Sequence, residues 1–262
     1  MSTLANKVLV VIGGTTGIGR SAARAFVAAG AKVVVVGRDP EAVADAEREF
    51  GAAGLAIAGD ATNPQTAPMA IRHALGHFGG FHGLYHVAGG SGRQQGDGPL
   101  HELTDAGWAF TLEQNLTSVF YSNRAAAQQF LKKGKGGAVL NLSSVLGFSP
   151  SPKHFATHAY AAAKAAIIGL TRAAAAQYAL KNIRFNVLAP ALVATPMSER
   201  AQQDARVLDF IAVKQPLDGG RIGLPADLDA AAVYFLSDES KFVTGQVLSV
   251  DGGWGVSEGL KG

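Results

Sequence analysis

Short, almost unbroken apolar runs punctuate the chain at residues 7–12, 32–36, 55–58, 83–87, 138–142, 184–188 and 246–250. Runs of this length without polar alternation predict strands buried on both faces, the pattern of a parallel sheet covered by helices. Between them the apolar positions recur at helical spacing. Residues 20–29 form such a segment and stop at Gly30, a helix C-terminal signal. Asp39, Pro40 and Glu41 read as N-cap, first helical position and first-turn acid of a helix running to Phe50. A further helix falls within 63–77, its start left open between Pro64 and Pro68. Two more are expected at 105–112 and 115–133, another over 158–180, helical character around 198–213, and a last helix over 225–236. This alternation predicts an α/β fold, a parallel sheet wound by right-handed crossovers. With no linker, repeat or break in composition, the whole of 1–262 reads as one domain.

Composition narrows the function classes. The chain has 262 residues, 48% hydrophobic and 16% charged, long enough to bury a large core. A net charge of +3 and a single short basic run, Lys132-Lys133-Gly134-Lys135, give no reason to expect a nucleic-acid partner. That run reads instead as a helix end, where cations suit the dipole. With no Cys, disulfides, thiolate metal sites and a Cys nucleophile are excluded, and no metal site is expected. No apolar run reaches the length of a membrane span, and the stretch at 8–12 is too short for a signal-peptide core. The expectation is a cytoplasmic protein without a membrane partner.

Two local patterns carry candidate chemistry. Gly13-Gly14-Thr15-Thr16-Gly17-Ile18-Gly19 lies directly after the first strand and before a helix. Glycines there let the backbone turn tightly and approach an anion, which the helix N-terminus then stabilises. The spacing Gly13-x-x-x-Gly17-x-Gly19 differs from the common dinucleotide fingerprint. Residues 14–21 also half fit a P-loop nucleotide-binding pattern, with Arg20 where Lys belongs; Arg replaces that compact charge badly. The second pattern is Tyr160 and Lys164, which share one face of the predicted helix. A cation beside a phenol favours phenolate and lowers a pKa of about 10, which would make Tyr160 a proton donor and acceptor near neutral pH. Taken singly, each pattern also has a plain structural reading, a tight turn and a chance pair on a helix.

Together they acquire a context. Gly13-x-x-x-Gly17-Ile18-Gly19, Asn115, Ser144, Tyr160-x-x-x-Lys164 and Pro190 to Thr195 stand in the order and approximate spacing of the short-chain dehydrogenase/reductase family. The chain resembles that family over nearly its whole length, to the closing 245–253. The resemblance implies a single Rossmann-type doubly wound fold, a seven-stranded parallel sheet with helices on both faces, and a nicotinamide cofactor at the carboxyl ends of the strands. The implied activity is NAD(P)-dependent interconversion of a secondary alcohol and its ketone, with a 3-oxoacyl-type or other small carbonyl compound as substrate. By the same resemblance Tyr160 passes the proton to or from the substrate oxygen, and Lys164 lowers its pKa and holds the nicotinamide ribose. Ser144 hydrogen-bonds the substrate oxygen, and Asn115 anchors a water that relays protons past Lys164. Cofactor contacts are implied for Gly13, Thr15, Thr16, Gly17, Ile18 and Gly19, for Asp60 and Ala61 near adenine, for Ala88 and Gly89, and for Pro190, Val193 and Thr195 around the carboxamide. Relatives are commonly tetramers, so a homotetramer is expected. A module that senses NAD(P)H without turnover is the alternative; the full Tyr160, Lys164, Ser144 and Asn115 set argues against it.

Some positions depart from the family pattern. Ile12 stands where Thr usually begins the glycine motif, His86-Val87-Ala88-Gly89 replaces Asn-Asn-Ala-Gly, and Ala191 replaces Gly. The stretch before Tyr160 is longer than expected, which leaves Ser143 and Ser144 both open as the substrate-orienting serine.

Gly37 ends the second strand, where NAD binders of this fold usually place an acid, and Arg38 follows. A guanidinium there suits a 2′-phosphate, so NADP is favoured and NAD kept open. Asp39 also lies near where a ribose acid would sit, but is read as the helix cap. The substrate pocket is expected from 91–99, 148–158 and 192–213, which mix Phe148, Phe155 and Met197 with Arg93, His154 and His158. These favour a carbonyl compound with an apolar body whose polar end meets Arg93 or a His.

Overall fold

The computed structural model describes residues 3–260. Strands β1 (Val8–Ile12), β2 (Lys32–Gly37), β3 (Gly54–Ala58), β4 (Gly83–His86), β5 (Gly137–Leu142), β6 (Ile183–Pro190) and β7 (Val247–Val250) form one sheet. Their order is β3-β2-β1-β4-β5-β6-β7, and every neighbouring pair is parallel. The helices are α1 (Gly17–Ala28), α2 (Pro40–Phe50), α3 (Thr66–Phe78), α4 (Asp105–Leu112), α5 (Ser118–Lys133), α6 (His158–Tyr178), α7 (Glu199–Gln203), α8 (Ala205–Lys214) and α9 (Asp229–Leu236).

The unbroken apolar strands are explained by the two cores they feed. Leu9, Val11, Val33, Val35 and Leu140 pack with Ala22 and Phe26 of α1 and Phe235 of α9. Their neighbours Val10, Val34, Leu84 and Val139 point the other way, onto Ala70 and Ile71 of α3 and Ala126 and Phe130 of α5. Side chains alternate across a strand, so covering both faces demands apolar residues at every position. Phe81 and Phe130 stack within the second core with ring centroids 4.6 Å apart.

Local chemistry sets the element ends. Asp39 caps α2, accepting from the Glu41 N–H at 3.1 Å with Pro40 at the first helical position. Pro68 falls in the first turn of α3, where no amide donor is needed, so the helix begins at Thr66. Two expectations are corrected. The separate helices at 105–112 and 115–133 are one run, because a π turn over Glu113–Thr117 joins α4 to α5. No Gly or Pro lies between Leu112 and Ser118 to stop it, and Asn115 is therefore an interior residue rather than an N-cap. The helical stretch around 198–213 instead divides at Asp204, whose carboxylate caps α8 on the Arg206 N–H.

The chain moves outward from β1 in both directions, and β1 and β4 are neighbours with Ile12 beside His86. The segments leaving their carboxyl ends diverge at this switch point and open a crevice.

Candidate functional site

The glycine turn forms one wall of that crevice. Gly13 has φ +85°, and a Cβ there would lie 2.6 Å from the Ala88 amide nitrogen. At Gly19 a Cβ would lie 2.0 Å from the Gly13 carbonyl oxygen. Only hydrogen at these two positions lets β1, α1 and the β4 end meet so closely. Thr16 precedes α1 without a side-chain cap, and the first turn carries no acid, so the positive end of the helix is left unscreened by protein carboxylates.

Gly13, Thr15, Thr16, Gly17, Ile18, Arg38, Asp60, Ala61, Ala88, Gly89 and Thr195 line the crevice, as does Asp39. Gly19 does not; it packs behind the turn. The residues thus fit a dinucleotide, with bare backbone and a helix N-terminus for the phosphates and polar side chains at the other end. Asp60 accepts from the N–H and hydroxyl of Thr62, both at 2.9 Å, and stands 4.0 Å from an Arg38 nitrogen. Gly37 is dictated by packing, since a Cβ there would sit 2.0 Å from the Thr15 hydroxyl. The P-loop reading fails at Arg20, whose guanidinium pairs with Glu49 at 2.7 Å instead of lining the crevice.

A second cavity, of about 710 Å³, continues from the first and shares Ile18, Gly89, Gln114, Leu142 and Thr195 with it. Ser144, Tyr160, Pro190 and Val193 line it. The Ser144 hydroxyl lies beside the Tyr160 phenol and favours its ionised form; it accepts from the Leu146 N–H at 3.2 Å and reaches the Pro190 carbonyl at 3.5 Å. Ser143 is committed elsewhere, donating to the Lys164 carbonyl at 2.7 Å. Ser143 and Ser144 both line the cavity, and Ser144 is the one whose hydroxyl lies beside the phenol.

Lys164 is buried beneath the Tyr160 ring, its ammonium 5.4 Å from the ring centroid and donating to the Leu142 carbonyl at 3.0 Å. The two side chains share a helix face as expected, but the expected electrostatics are overturned. Burial pushes the Tyr160 phenol up to about 12, opposed only by the Ser144 hydroxyl. Burial likewise pulls the Lys164 ammonium down to about 8. A cation that is itself being stripped of solvent offers little to a phenol whose anion is desolvated as strongly. Tyr160 is accordingly protonated at neutral pH.

Asn115 is fully buried. Its amide donates to the carbonyls of Gly90 and Thr111, and its carbonyl accepts from the Gly90 N–H. A Cβ at Gly89 would come within 2.7 Å of the Asn115 oxygen and 3.6 Å of the Lys164 nitrogen, so Gly89 covers both. His86 restores the polar bracing its family position lacks in sequence. Its ring contacts the Ser122 hydroxyl at 2.7 Å and the Ala88 carbonyl at 3.1 Å. Burial, helped by Lys164, lowers it to about 3, and the neutral ring ties β4 to α5 and to the crevice rim.

Several positions around the site were not legible beforehand. Asp97 is buried and accepts from the Ala159 and Tyr160 N–H groups, both at 3.0 Å, capping α6 at the end that carries Tyr160. Trp254 forms a cavity wall, its indole N–H donating to Ser149, and Gln215 clamps both backbone groups of Leu192. Phe110 and Gln114 also face the cavity. Of the expected pocket residues, Phe155, Met197 and Arg93 line it; Phe148, His154 and His158 do not. His154 stacks on Phe210 at 4.5 Å, and His158 binds the Gly98 carbonyl at 2.9 Å.

The family described as Enoyl-(Acyl carrier protein) reductase matches residues 13–255. The chain is 34% identical over 263 residues to a 2,5-dichloro-2,5-cyclohexadiene-1,4-diol dehydrogenase of Sphingobium indicum, covering 97% of this chain and 99% of that one. It is 34% identical over 252 residues to the cis-4-hydroxycyclohexanecarboxylate dehydrogenase of Sinomonas cyclohexanicum, covering 95% and 97%. Among solved structures, a short-chain type dehydrogenase/reductase from Mycobacterium ulcerans superposes with a TM-score of 0.88 at 31% identity, over 97% of this chain and 91% of that one.

Proposed function

The chain belongs to the short-chain dehydrogenase/reductase family and is an NAD(P)-dependent oxidoreductase of secondary alcohols and their ketones; from that premise we propose an NADP-preferring, cytoplasmic, homotetrameric enzyme built as one dinucleotide-binding unit. Its substrate is a six-membered-ring alcohol or ketone, in keeping with the ring alcohols in the names of two relatives and with the Phe155 and Trp254 walls of the cavity.

The observation that carries the reading is the Ser144–Tyr160 hydroxyl pair, facing a cavity continuous with the glycine crevice. The cofactor, when bound, supplies or takes the hydride at the substrate carbon. Tyr160 gives its proton to the carbonyl oxygen in reduction and takes it back in oxidation, and Ser144 holds that oxygen by a second hydrogen bond. Lys164, buried beneath the phenol, holds the nicotinamide ribose, and Asn115 fixes the Gly89–Gly90 backbone over Lys164. The glycine turn, Thr15, Thr16, Ile18, Ala61, Ala88, Pro190, Val193 and Thr195 hold and orient the cofactor.

The NADP preference rests on Arg38 beside Asp60 and on the steric bar to an acid at position 37. Comparing kcat/KM for NADPH and NADH tests it. A preference of about 10- to 100-fold for NADPH is expected from one charge-assisted contact to phosphate, collapsing in Arg38→Ala. A preference for NADH in the unaltered chain rejects it. Tyr160→Phe should retain cofactor-induced thermal stabilisation and lose turnover.

A further inference from the structure

We propose that Arg93 and Arg200 form an anion clamp in the substrate cavity, so that the substrate carries a carboxylate in addition to the reacting alcohol or ketone. This rests on the dehydrogenase reading above and extends it to the non-reacting end of the substrate. The two arginines reach the cavity from different segments, Arg93 from the turn after β4 and Arg200 from α7 after β6. Arg20, Arg24, Arg38, Arg48, Arg206 and Arg221 each stand within 4.0 Å of a carboxylate. Among the described residues, Arg93 and Arg200 have none so close; Arg72, Arg124, Arg172 and Arg184 share that lack but do not line the cavity. The acids near them are occupied: Asp97 accepts from two α6 amides, and Glu199 accepts from Gln203.

The guanidiniums also repel one another. Arg93 is held below the usual arginine range, first by partial burial and next by Arg200, with only Asp97 opposing. Its one side-chain bond is a long one, to the His154 carbonyl at 3.5 Å. Two like charges facing one cavity without a protein acid between them are unfavourable, and a bound anion reverses the sign of that interaction. The forked donors of arginine match a carboxylate in geometry. The segment carrying Arg200 is tied down by hydrogen bonds. Gln202 ties α7 to the Thr195 carbonyl at 2.9 Å, and Ser198 donates to the Val193 carbonyl at 2.6 Å, so Arg200 is carried on the same anchored segment that lines the crevice with Thr195 and Met197. The cavity that the cations share with Tyr160 is also lined by Leu146, Phe155, Phe110 and Trp254, which suit an apolar body.

The test uses the full chain saturated with cofactor and two probes, cyclohexanecarboxylate and cyclohexanecarboxamide, which differ in charge but little in shape. Neither carries an alcohol or ketone, so binding is read by titration calorimetry without turnover. The acid is expected to bind about 3- to 10-fold more tightly than the amide, as charge-assisted pairing with two exposed guanidiniums provides. That ratio should fall toward one in Arg93→Gln and in Arg200→Gln, and be partly restored in the corresponding Lys variants. Equal affinity for acid and amide in the unaltered chain overturns the clamp, as does a ratio untouched by both Gln substitutions. Reduction of 4-oxocyclohexanecarboxylate is followed separately with both cofactors, and the Gln variants should lose more in KM than in kcat. If the acid binds selectively yet no cyclic ketone or alcohol is turned over, the ring-substrate reading fails and the clamp stands.

Discussion

Lys164 concentrates the cost of this site in one side chain. It is buried, it donates to a main-chain carbonyl, and nothing anionic offsets its charge. Its folded pKa, about 8, lies below the ordinary 10.5, so the folded chain releases this proton before the unfolded chain does. Stability from this group is therefore lowest below pH 8 and rises with pH across the window from about 8 to 10.5. At neutral pH the penalty is roughly 3 kcal/mol for a shift of this size. A variant lacking the amine removes the titration, although it also deprives the Leu142 carbonyl of a donor. Comparing two pH values cancels that second effect. Between pH 7 and pH 10 the unaltered protein should gain about 2 kcal/mol on Lys164→Met in urea unfolding. Parallel pH profiles for the two proteins would remove the argument. Turnover should be lost in the variant, so the destabilising charge is retained for chemistry rather than for folding.

At the scale of elements, α6 matters most, because its first turns carry both Tyr160 and Lys164. Thr157, the residue at its cap position, makes no side-chain cap bond. Asp97 does the capping from the segment after β4, placing a carboxylate against the positive end of the helix. Asp97→Ala should cost about 1–3 kcal/mol in unfolding experiments, the penalty for orphaned buried donors. A purely structural cap would leave the kinetics of the folded fraction intact. Here the Tyr160 amide is itself one of the two bonded groups, so kcat should fall more than KM rises, and Asp97→Asn should recover part of it. An unchanged kcat per folded molecule argues against a positioning role. The same helix shows what sequence does and does not reveal. Its length, its Tyr-Lys pairing and the glycine turn opposite are local patterns, readable from spacing alone. Asp97 is 62 residues from its partner Ala159, and Trp254 is 105 from Ser149. Such contacts are created by the sheet order, and no local period announces them. The π turn at Glu113–Thr117 escaped for a different reason: helix formers on both sides conceal a change of pitch that only the buried hydrogen bonds of Asn115 disclose.

The molecule as a whole exposes more large apolar surface than its two cores explain. Trp108 on α4 and Phe120 and Leu131 on α5 are over two-fifths exposed, and Phe242 before β7 is fully exposed. Helix α6 adds a flat stripe of Ala162, Ala165 and Gly169, at which a second backbone can approach closely. The edge strand β7 is four residues long, with Leu248 turned outward and Tyr234 of the neighbouring α9 partly open. Exposed patches of this kind and a half-open sheet edge are what oligomer contacts cover. They fall on two separate parts of the surface, α4–α5–α6 and β7–α9, and two independent self-complementary contacts generate a four-chain assembly with dihedral symmetry. Light scattering coupled to size exclusion should therefore return four times the 26.9 kDa chain mass. Phe120→Glu should break the helix contact and leave pairs joined through the strand edge. Leu248→Lys should do the converse and leave pairs joined through the helices. Each variant should keep an intact fold by far-UV circular dichroism, since neither side chain belongs to a core cluster. A monomeric mass for the unaltered protein at micromolar concentration, or a tetramer indifferent to both substitutions, would refute this assembly while leaving the crevice and its chemistry as described.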